Sequence, residues 1–328
     1  MQSVLSEQNI NSIVYDDIRS LSSSHQMMAA AAIGRAEGCT FVLGLGGGGC
    51  LNAARAIAAM CTNNGRVEQY AGGGTHRFTS RPLPIVCLPT LAEATSLLPC
   101  TFFRHEDGLR MIRHPWLHAS SCLIDPDINQ TVPPHATGYH GLISLLFSLG
   151  VLLSPSPNPP SVALSLTAWG QLSSIVPVCV RNGKDPQARS AAAAATLLAA
   201  MAAATCPFPP EIALALSICA ATPDLPLGAV LCRLAPLWHD RAAARATHRY
   251  RRACRALGLP EGGVGRALKD FCRQCGLEDV QITDYGLNSE SILRCSRQAE
   301  EAMPTLFSRE KSPLDEGERQ AILQEALT

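Results

Sequence analysis

Four consecutive glycines are the feature of the sequence with the clearest chemical meaning. They are Gly46, Gly47, Gly48 and Gly49. Thr40–Leu45 ahead of them is short and apolar, as buried strands are, and Leu51–Met60 after them is Ala-rich with helical spacing. A strand, a glycine turn and a helix start together present backbone N–H groups and the positive end of a helix dipole to a phosphate. A tight turn that binds nothing stays open as the alternative, because glycine runs alone are weak signals.

Five further side chains could exchange protons or act as nucleophiles. His140 is the first of them, since it falls at the N-terminal end of a predicted helix and imidazole is suited to general acid–base work. The alternative for His140 is a histidine bonded to nearby backbone. His239 lies beside Asp240, although adjacent residues of a helix point apart. The candidate catalytic residues are therefore His140, Tyr139, His135, His239 and Ser144.

Composition limits the classes of partner and the compartment. The 328 residues carry 27 basic and 27 acidic side chains, so nothing indicates nucleic acid or an anionic membrane as a partner. The 14 cysteines are scattered, often in apolar runs, which favours a reducing compartment over a disulfide framework. The first residues lack the basic flank of a signal peptide, and the longest apolar run, Gly141–Leu153, is too short to span a bilayer. We expect a cytoplasmic, soluble protein.

The first part of the chain alternates strands and helices, which predicts a parallel α/β sheet. The predicted strands are Ser12–Tyr15, Thr40–Leu45, Pro84–Leu88 and Cys122–Ile124, and the predicted helices are Ser22–Arg35 and Leu51–Met60. Thr62–Arg81, which includes Gly72–Gly74, has no clear period and is predicted as loop. Serines at the start of the first helix and Gly38 after its end are suitable capping residues.

The character of the chain changes after Pro133–Pro134, where every remaining segment has helical spacing. The predicted helices are Thr137–Leu153, Leu164–Val178, Ala191–Ala204, Glu211–Ala221, Leu227–Leu257, Gly263–Cys275, Ser289–Ala302 and Glu316–Ala326. We therefore expect a shortened Rossmann-like α/β domain over 1–132 and an all-helical domain over 133–328. The cleft between them is the expected site.

This order of motifs resembles the iron-containing alcohol dehydrogenase superfamily, with its dehydroquinate-synthase-like fold, and the maleylacetate reductases within it. The resemblance is firmest in Gly44–Ala58, Leu88–Pro99 and Leu123–Pro134, and it includes Thr137–His140. The superfamily ordinarily has a further stretch of about one βαβα unit before the point that matches Ser12. The resemblance therefore implies an N-terminal truncation relative to those proteins.

The resemblance also implies which residues would contact a dinucleotide. The glycine turn matches the phosphate loop of the superfamily, and Thr90 and Thr95 lie in the segment that corresponds to the second cofactor contact. Leu91 and Glu93 replace small hydroxyl residues in that segment. Their bulk and negative charge are unfavourable beside an anionic pyrophosphate.

Metal-binding members of the superfamily use one Asp and three His as ligands. In this sequence His140 stands at the Asp position, and Ser144 stands where the His one helical turn later is expected. Ala235 and Arg245 fall where the other two His are expected, while His239 and His248 lie nearby but off that register, and an indel could realign one of them. The resemblance thus implies no metal site, and it implies a substrate-carboxylate role for Arg113, in a segment where relatives carry basic residues.

These substitutions favour a repurposed enzyme that uses no cofactor. We expect a non-redox step on a small molecule, such as cyclisation, isomerisation or dehydration, in a setting such as natural-product biosynthesis, with His140 as the acid or base. A metal-independent NAD(P)H reductase of the maleylacetate type is the first alternative. A catalytically silent partner of a full-length relative is the second. A homodimer is compatible with the apolar helices.

Overall fold

The fold is described from a computed structural model of the chain. The described residues are 1–18, 21–72, 74–106, 108–222, 224–278, 282, 285–303, 306–307 and 314–327. Gly73 of the predicted loop lies outside them.

The chain forms five short strands in its first part and twelve α-helices in the residues described. The strands are β1 (Val42–Gly46), β2 (Ile85–Pro89), β3 (Cys100–His105), β4 (Gly108–Arg113) and β5 (Ser121–Cys122). The helices are α1 (Gln2–Glu7), α2 (Ser24–Ala36), α3 (Gly48–Thr62), α4 (Pro134–Leu152), α5 (Pro159–Arg181), α6 (Pro186–Ala203), α7 (Pro210–Ala221), α8 (Leu227–Arg245), α9 (Thr247–Leu257), α10 (Val264–Gln274), α11 (Ser289–Ala302) and α12 (Glu316–Leu327). An α/β part followed by an all-helical part confirms the predicted fold class. The domain boundary at 132/133 stays a prediction.

The parallel sheet of the first part has the strand order β1-β2-β5. Gly44 pairs with Cys87 in this sheet, and Gly46 pairs with Pro89, so β1 and β2 end at the same edge. Helix α3 returns across the sheet, and its Leu51 packs against Ile85 in a small apolar cluster. Because β1 and β2 end together, the segments that follow them meet at the carboxyl edge, where parallel sheets bind ligands.

Two predictions about strands are corrected. Ser12–Tyr15 is not a strand, and its Val14 side chain is 59% exposed. Among the described residues no strand pairs with this segment, and an isolated strand leaves its backbone groups to water. The β3–β4 hairpin, in contrast, was not predicted. Phe102 and Phe103 are adjacent and both buried, so β3 lacks the alternation of polar and apolar residues that reveals a half-exposed strand.

Three helices begin three to five residues before their predicted starts at Thr137, Leu164 and Ala191. Helices α4, α5 and α6 each have proline in their first turn, namely Pro134, Pro159 and Pro186. Proline is tolerated there because its missing N–H has no partner in a helix and its φ already fits one. The capping of α2 is as expected, with Ser23 as N-cap and Gly38 at φ +64° after the C-cap.

The segment predicted as one helix over Leu227–Leu257 is two helices. Helix α8 ends at Arg245, the backbone leaves helical angles at Ala246, and α9 begins at Thr247. The bend brings Tyr250 back onto His239, with 2.7 Å between the phenol oxygen and Nδ1. Sequence spacing carries no sign of this contact, because it depends on the tertiary path.

Two helical segments, Pro134–Leu153 and Pro159–Arg181, are long and apolar enough to cross a bilayer by length and composition. The share of each that is buried within the protein is 67% and 39%. Core helices pass the same test, so this is weak evidence for a membrane. The first of these segments contains the apolar run Gly141–Leu153 and extends beyond it, so it is long enough where the run alone is too short. The absence of a membrane partner stays a prediction.

Helix α8 approaches α4 so closely at Gly228 that a side chain has no room. A Cβ at this position would lie 2.2 Å from Tyr139 Cβ and 2.8 Å from its Cα. Gly170 in α5 offers the contrast, with nothing within 4 Å of an added Cβ.

We expect Gly228→Ala to lower the free energy of unfolding by about 1–3 kcal/mol, because α4 and α8 must separate to admit the methyl group. Gly170→Ala should raise it by about 0.5–1 kcal/mol, because alanine favours the helix and meets no atom. Urea titration of both variants measures this difference. Equal changes in the two variants would contradict the close approach.

Candidate functional site

The glycine turn and the segment after β2 meet at the carboxyl edge of the sheet. Gly47 is the N-cap of α3, and Gly46 accepts a backbone hydrogen bond from the Thr90 N–H at 3.0 Å. Thr95 lies one short turn further on and is buried. The two segments that the resemblance assigns to the cofactor are therefore neighbours in the structure. Their role in cofactor binding is a prediction that geometry alone does not test.

Leu91 and Glu93, in the segment after β2, lie over the glycine turn. A Cβ on Gly47 would lie 2.6 Å from Leu91 Cδ1, and one on Gly48 would lie 3.2 Å from Glu93 Oε1. Glu93 is only 6% exposed. A carboxylate therefore occupies the N-terminal end of α3, where the helix dipole favours an anion.

His140 of α4 is the partner of that carboxylate. Its Nδ1 lies 2.6 Å from Glu93 Oε2. Nε2 of the same ring has no hydrogen-bond partner among the residues described, and His140 lines a cavity of about 360 Å³, a volume that includes space open to solvent. The carboxylate lies close to the Nδ1 side of the ring, although Nδ1 forms no hydrogen bond of good geometry with the residues described, and Nε2 is left to exchange a proton with a molecule in the cavity.

Ser144 lies one turn after His140 and fixes the same segment. Its hydroxyl is fully buried, donates to the His140 carbonyl at 3.0 Å and accepts from the Ala94 N–H at 3.1 Å. The hydroxyl therefore has both its donor and an acceptor position in use, and no base lies next to it in these contacts. The catalytic role predicted for Ser144 stays a prediction, and the observed contacts are those of a positioning residue.

The resemblance places His140, Ser144, Ala235 and Arg245 at the positions of the superfamily's metal ligands, and the loss of a metal site stays a prediction. Within the described part of the chain, no group of three or more His, Cys, Asp and Glu side chains is arranged to hold one. Ala235 is fully buried among apolar side chains, and Arg245 pairs with Glu318 near the surface. Neither residue offers a lone pair to a metal.

Sequence reasoning missed Arg189, which lines the same cavity as His140. It is 4% exposed, and its Nη1 donates to Thr137 Oγ1 at 2.9 Å. The sign available in the sequence was an arginine within the first turns of an otherwise Ala-rich helix. Burial lowers the pKa of the Arg189 guanidinium, although arginine keeps its charge in proteins.

Three other predicted residues lie away from this cavity's lining. Tyr139 packs against α8 at Gly228, and burial raises its pKa to about 12. His135 is exposed and contacts the Tyr139 ring edge-on at a centroid distance of 6.0 Å. Arg113 is exposed and donates to the Ala204 carbonyl at 2.8 Å. Their predicted roles stay predictions.

His239 lies at a second cavity, whose volume is about 540 Å³ including open solvent. There its Nε2 is 3.3 Å from Glu211 Oε1, and its Nδ1 is 2.7 Å from the Tyr250 hydroxyl. All three side chains are nearly fully buried. His239 therefore pairs with Glu211 rather than with the adjacent Asp240, which binds Lys269 instead. No lining residue is common to the two cavities.

Comparison with known proteins agrees with this fold. Residues 1–126 match the protein family described as iron-containing alcohol dehydrogenase. A 4-hydroxybutyrate dehydrogenase of Cupriavidus necator is 28% identical over 203 residues, which are 60% of this chain and 52% of that protein. The chain spans about half the length of the curated relatives it matches.

Solved structures resemble the chain over nearly its whole length. An archaeal halo-thermophilic alcohol dehydrogenase from a Red Sea brine pool superimposes with a TM-score of 0.91 at 20% identity, covering 99% of this chain and 87% of that one. A sulfoacetaldehyde reductase of Bifidobacterium kashiwanohense, solved in complex with NAD+, superimposes with a TM-score of 0.82 at 19% identity, covering 99% and 88%.

These findings confirm the resemblance to the iron-containing alcohol dehydrogenase superfamily and its fold. A closer relation to the maleylacetate reductases is not shown. The expectation that no cofactor is used is wrong, because the proteins that the chain matches include an NAD-dependent methanol dehydrogenase of Bacillus methanolicus and the reductase solved in complex with NAD+.

The position of the Ala94 segment should depend on the Ser144 hydroxyl. Ser144→Ala leaves the buried Ala94 N–H without an acceptor, so the free energy of unfolding should fall by about 1–3 kcal/mol. The matched control is Ser148→Ala, since Ser148 is equally buried and donates only to the Ser144 carbonyl. Its cost should not exceed about 1 kcal/mol. Hydrogen exchange of the Ala94 amide should accelerate in Ser144→Ala alone, and unchanged exchange would contradict the contact.

Proposed function

We propose that this protein, whose residues 1–126 match the iron-containing alcohol dehydrogenases and whose whole chain has their fold, is a dinucleotide-dependent oxidoreductase of small alcohols or carbonyl compounds. In this proposal the Glu93–His140 pair performs the proton transfer, and no resident metal takes part. The cyclisation, isomerisation or dehydration expected from the sequence stays a prediction without support from the relatives.

The observation that carries the proposal is the open Nε2 of His140. It belongs to a ring whose other nitrogen contacts a buried carboxylate, and the ring lines a cavity next to the carboxyl edge of β1 and β2. The segment Thr90–Glu93 therefore has the His140 ring on one side. On its other side lies the carboxyl edge of the sheet, which is suited to binding a phosphate. That juxtaposition is what an oxidoreductase of this fold needs when a side chain has to serve as acid.

His140 would act on the oxygen of the substrate. In reduction, the N–H at Nε2 gives its proton to the carbonyl oxygen as the carbon accepts a hydride, and in oxidation Nε2 takes the hydroxyl proton. Glu93 stabilises the charged imidazolium in either direction, because it is a carboxylate 2.6 Å from Nδ1. Glu93 thus acts as a positioning residue and His140 as the catalytic residue.

The residues that would hold the dinucleotide are Gly46–Gly49, Thr90 and Thr95. When bound, the nicotinamide supplies or accepts the hydride. The backbone of the turn fits a phosphate, since α3 begins at Gly48 with free N–H groups in its first turn. The side chain of Leu91 lies over Gly47 and must turn aside for a phosphate to reach the backbone. Glu93 lies near Gly48 and stays on His140, so its charge opposes the phosphate.

Independence of a metal is supported by the chemistry of the side chains at the ligand positions. Ser144 uses its hydroxyl within the protein, and Ala235 has no donor atom. His140 alone of this set can bind a metal, and its Nδ1 faces Glu93. We therefore expect NADH-linked activity to survive dialysis against a chelator, and loss of activity that Fe²⁺ or Zn²⁺ restores would contradict this part of the proposal.

Removing the charge of Glu93 should strengthen cofactor binding. Glu93→Gln keeps the size of the side chain but removes the repulsion of the pyrophosphate, so the Kd for NADH should fall about tenfold or more. The matched control is Glu211→Gln, which also uncharges a buried glutamate in contact with a histidine, but at the second cavity. Calorimetric titration with NADH and NADPH measures both. Failure of wild type and Glu93→Gln to bind either dinucleotide would overturn the proposed function.

Replacing His140 should affect turnover more than binding. His140→Gln introduces an amide that can contact Glu93 but cannot exchange a proton. We therefore expect kcat to fall about 10²–10⁴-fold. The Kd for NADH should stay within about twofold, since the imidazole does not touch the glycine turn. NADH oxidation with a panel of short aldehydes and ketones measures kcat. Wild-type turnover in this variant would remove His140 from the mechanism.

A further inference from the structure

The cavity beside His140 has a polar end that the proton-transfer scheme does not use. Its lining includes Arg189, Asn129 and Thr196 together with apolar side chains such as Val132 and Val176. The three polar residues are each at least 95% buried. Polar groups buried to this degree ordinarily have partners, so their hydrogen bonds indicate what this end of the cavity is built to hold.

The Arg189 guanidinium carries a buried positive charge that meets only uncharged acceptors. Its Nε donates to the Gly183 carbonyl at 2.8 Å, its Nη1 to Thr137 Oγ1 at 2.9 Å and its Nη2 to the Val132 carbonyl at 3.2 Å. No carboxylate of the described residues forms an ion pair with it. These bonds fix the plane of the guanidinium and leave its charge uncompensated.

Another buried arginine of the same chain shows the ordinary arrangement. Arg319 is 5% exposed, and its Nη2 lies 2.7 Å from Glu300 Oε2. A buried guanidinium without a counter-ion is costly, because the desolvation of its charge is not offset. Arg189 therefore differs from Arg319 in lacking its anion.

Two further side-chain atoms at the same end of the cavity lack partners. Asn129 Oδ1 and Thr196 Oγ1 are both inaccessible to solvent and form no hydrogen bond within the part of the chain that the structure describes. Asn129 lies in the short turn Pro126–Thr131, and Thr196 lies later than Arg189 on α6. These two atoms without partners are therefore observations separate from the contacts of Arg189. A carboxylate would supply the anion that Arg189 lacks and an acceptor for the Thr196 hydroxyl. The Asn129 amide would meet it through its Nδ2 donor, since Oδ1 itself accepts.

We propose that Arg189, Asn129 and Thr196 form the subsite for a substrate carboxylate, and that the substrate is a short-chain hydroxy or oxo acid whose reacting carbon lies at His140. The position of the reacting carbon at His140 rests on the proposed function. The carboxylate subsite itself does not depend on it. Arginine presents parallel N–H donors that match both oxygens of a carboxylate. The hydroxyl of Thr196 can add a third donor, and the Asn129 amide can do the same.

The spacing along α4 sets the length of the substrate. Arg189 is bonded to Thr137, and His140 is three residues further along the same helix, which is about 4.5 Å of axial rise. The cavity wall between them is apolar, with Gly141 and Val176 in it. A carboxylate and a reacting carbon joined by a short aliphatic chain fit this arrangement.

The test begins with binding, without any cofactor. Butyrate and its uncharged counterpart butanol are titrated into wild type, Arg189→Lys and Thr196→Val by calorimetry and thermal shift. Wild type should bind butyrate at least tenfold more tightly than butanol. Arg189→Lys should weaken butyrate binding about tenfold, because the ammonium group of lysine does not present the two parallel N–H donors of a guanidinium. Thr196→Val, which removes a hydroxyl that has no partner and so keeps the fold, should weaken it severalfold.

The matched control is Arg319→Lys, which alters a buried arginine that already has its carboxylate. It should leave butyrate binding unchanged. Equal binding of butyrate and butanol by wild type, or wild-type butyrate affinity in both Arg189→Lys and Thr196→Val, would overturn the subsite.

Turnover then separates the subsite from the proposed function. With NADH, Arg189→Lys should raise the KM for succinic semialdehyde about tenfold and leave the KM for butanal unchanged. Selective butyrate binding without NADH binding would refute the proposed oxidoreductase and leave the carboxylate subsite standing. NADH-dependent reduction with the same preference for both aldehydes in wild type would refute the subsite and leave the oxidoreductase standing.

Discussion

The buried carboxylate of Glu93 is the constraint on which the arrangement of the site depends. A carboxylate that is 6% exposed needs groups of favourable polarity around it, and here the N-terminal end of α3 and the His140 ring lie beside it. Satisfying that one group draws the glycine turn, the segment after β2 and the first turns of α4 together. The two parts of the chain, α/β and helical, are thus joined at the site by an electrostatic contact.

The superfamily's fold is preserved while the chemistry of its site is altered. A TM-score of 0.91 over 99% of the chain shows that the scaffold is unchanged in outline. On that scaffold, His140 and Ser144 stand at positions where metal-binding members carry ligands, and both now contact residues 93–94 instead. Fold and function are separable in this way.

The cavity is electrostatically uneven, which would orient a small polar molecule within it. His140, whose ring contacts Glu93, and Arg189, with no described carboxylate beside it, both line this cavity. In a buried setting such charges act over the length of a small substrate, because little water is present to screen them. In the proposed function, Arg189 would set the direction in which the substrate binds, and His140 would exchange the proton.

The sequence by itself determined the local structure and the class of fold. The apolar run before Gly46, the Ala-rich run after it and the helical spacing beyond Pro134 identified the α/β and all-helical parts, because hydrophobic periodicity reflects burial of one face. Prediction from the sequence failed at Ser12–Tyr15. This segment has the composition of a strand, but no strand of the described residues pairs with it. Only the tertiary structure decided which groups meet. The contacts Glu93–His140, Ala94–Ser144 and Arg189–Thr137 join residues about 50 positions apart. No periodicity encodes such pairs, since they depend on how separately predictable elements pack.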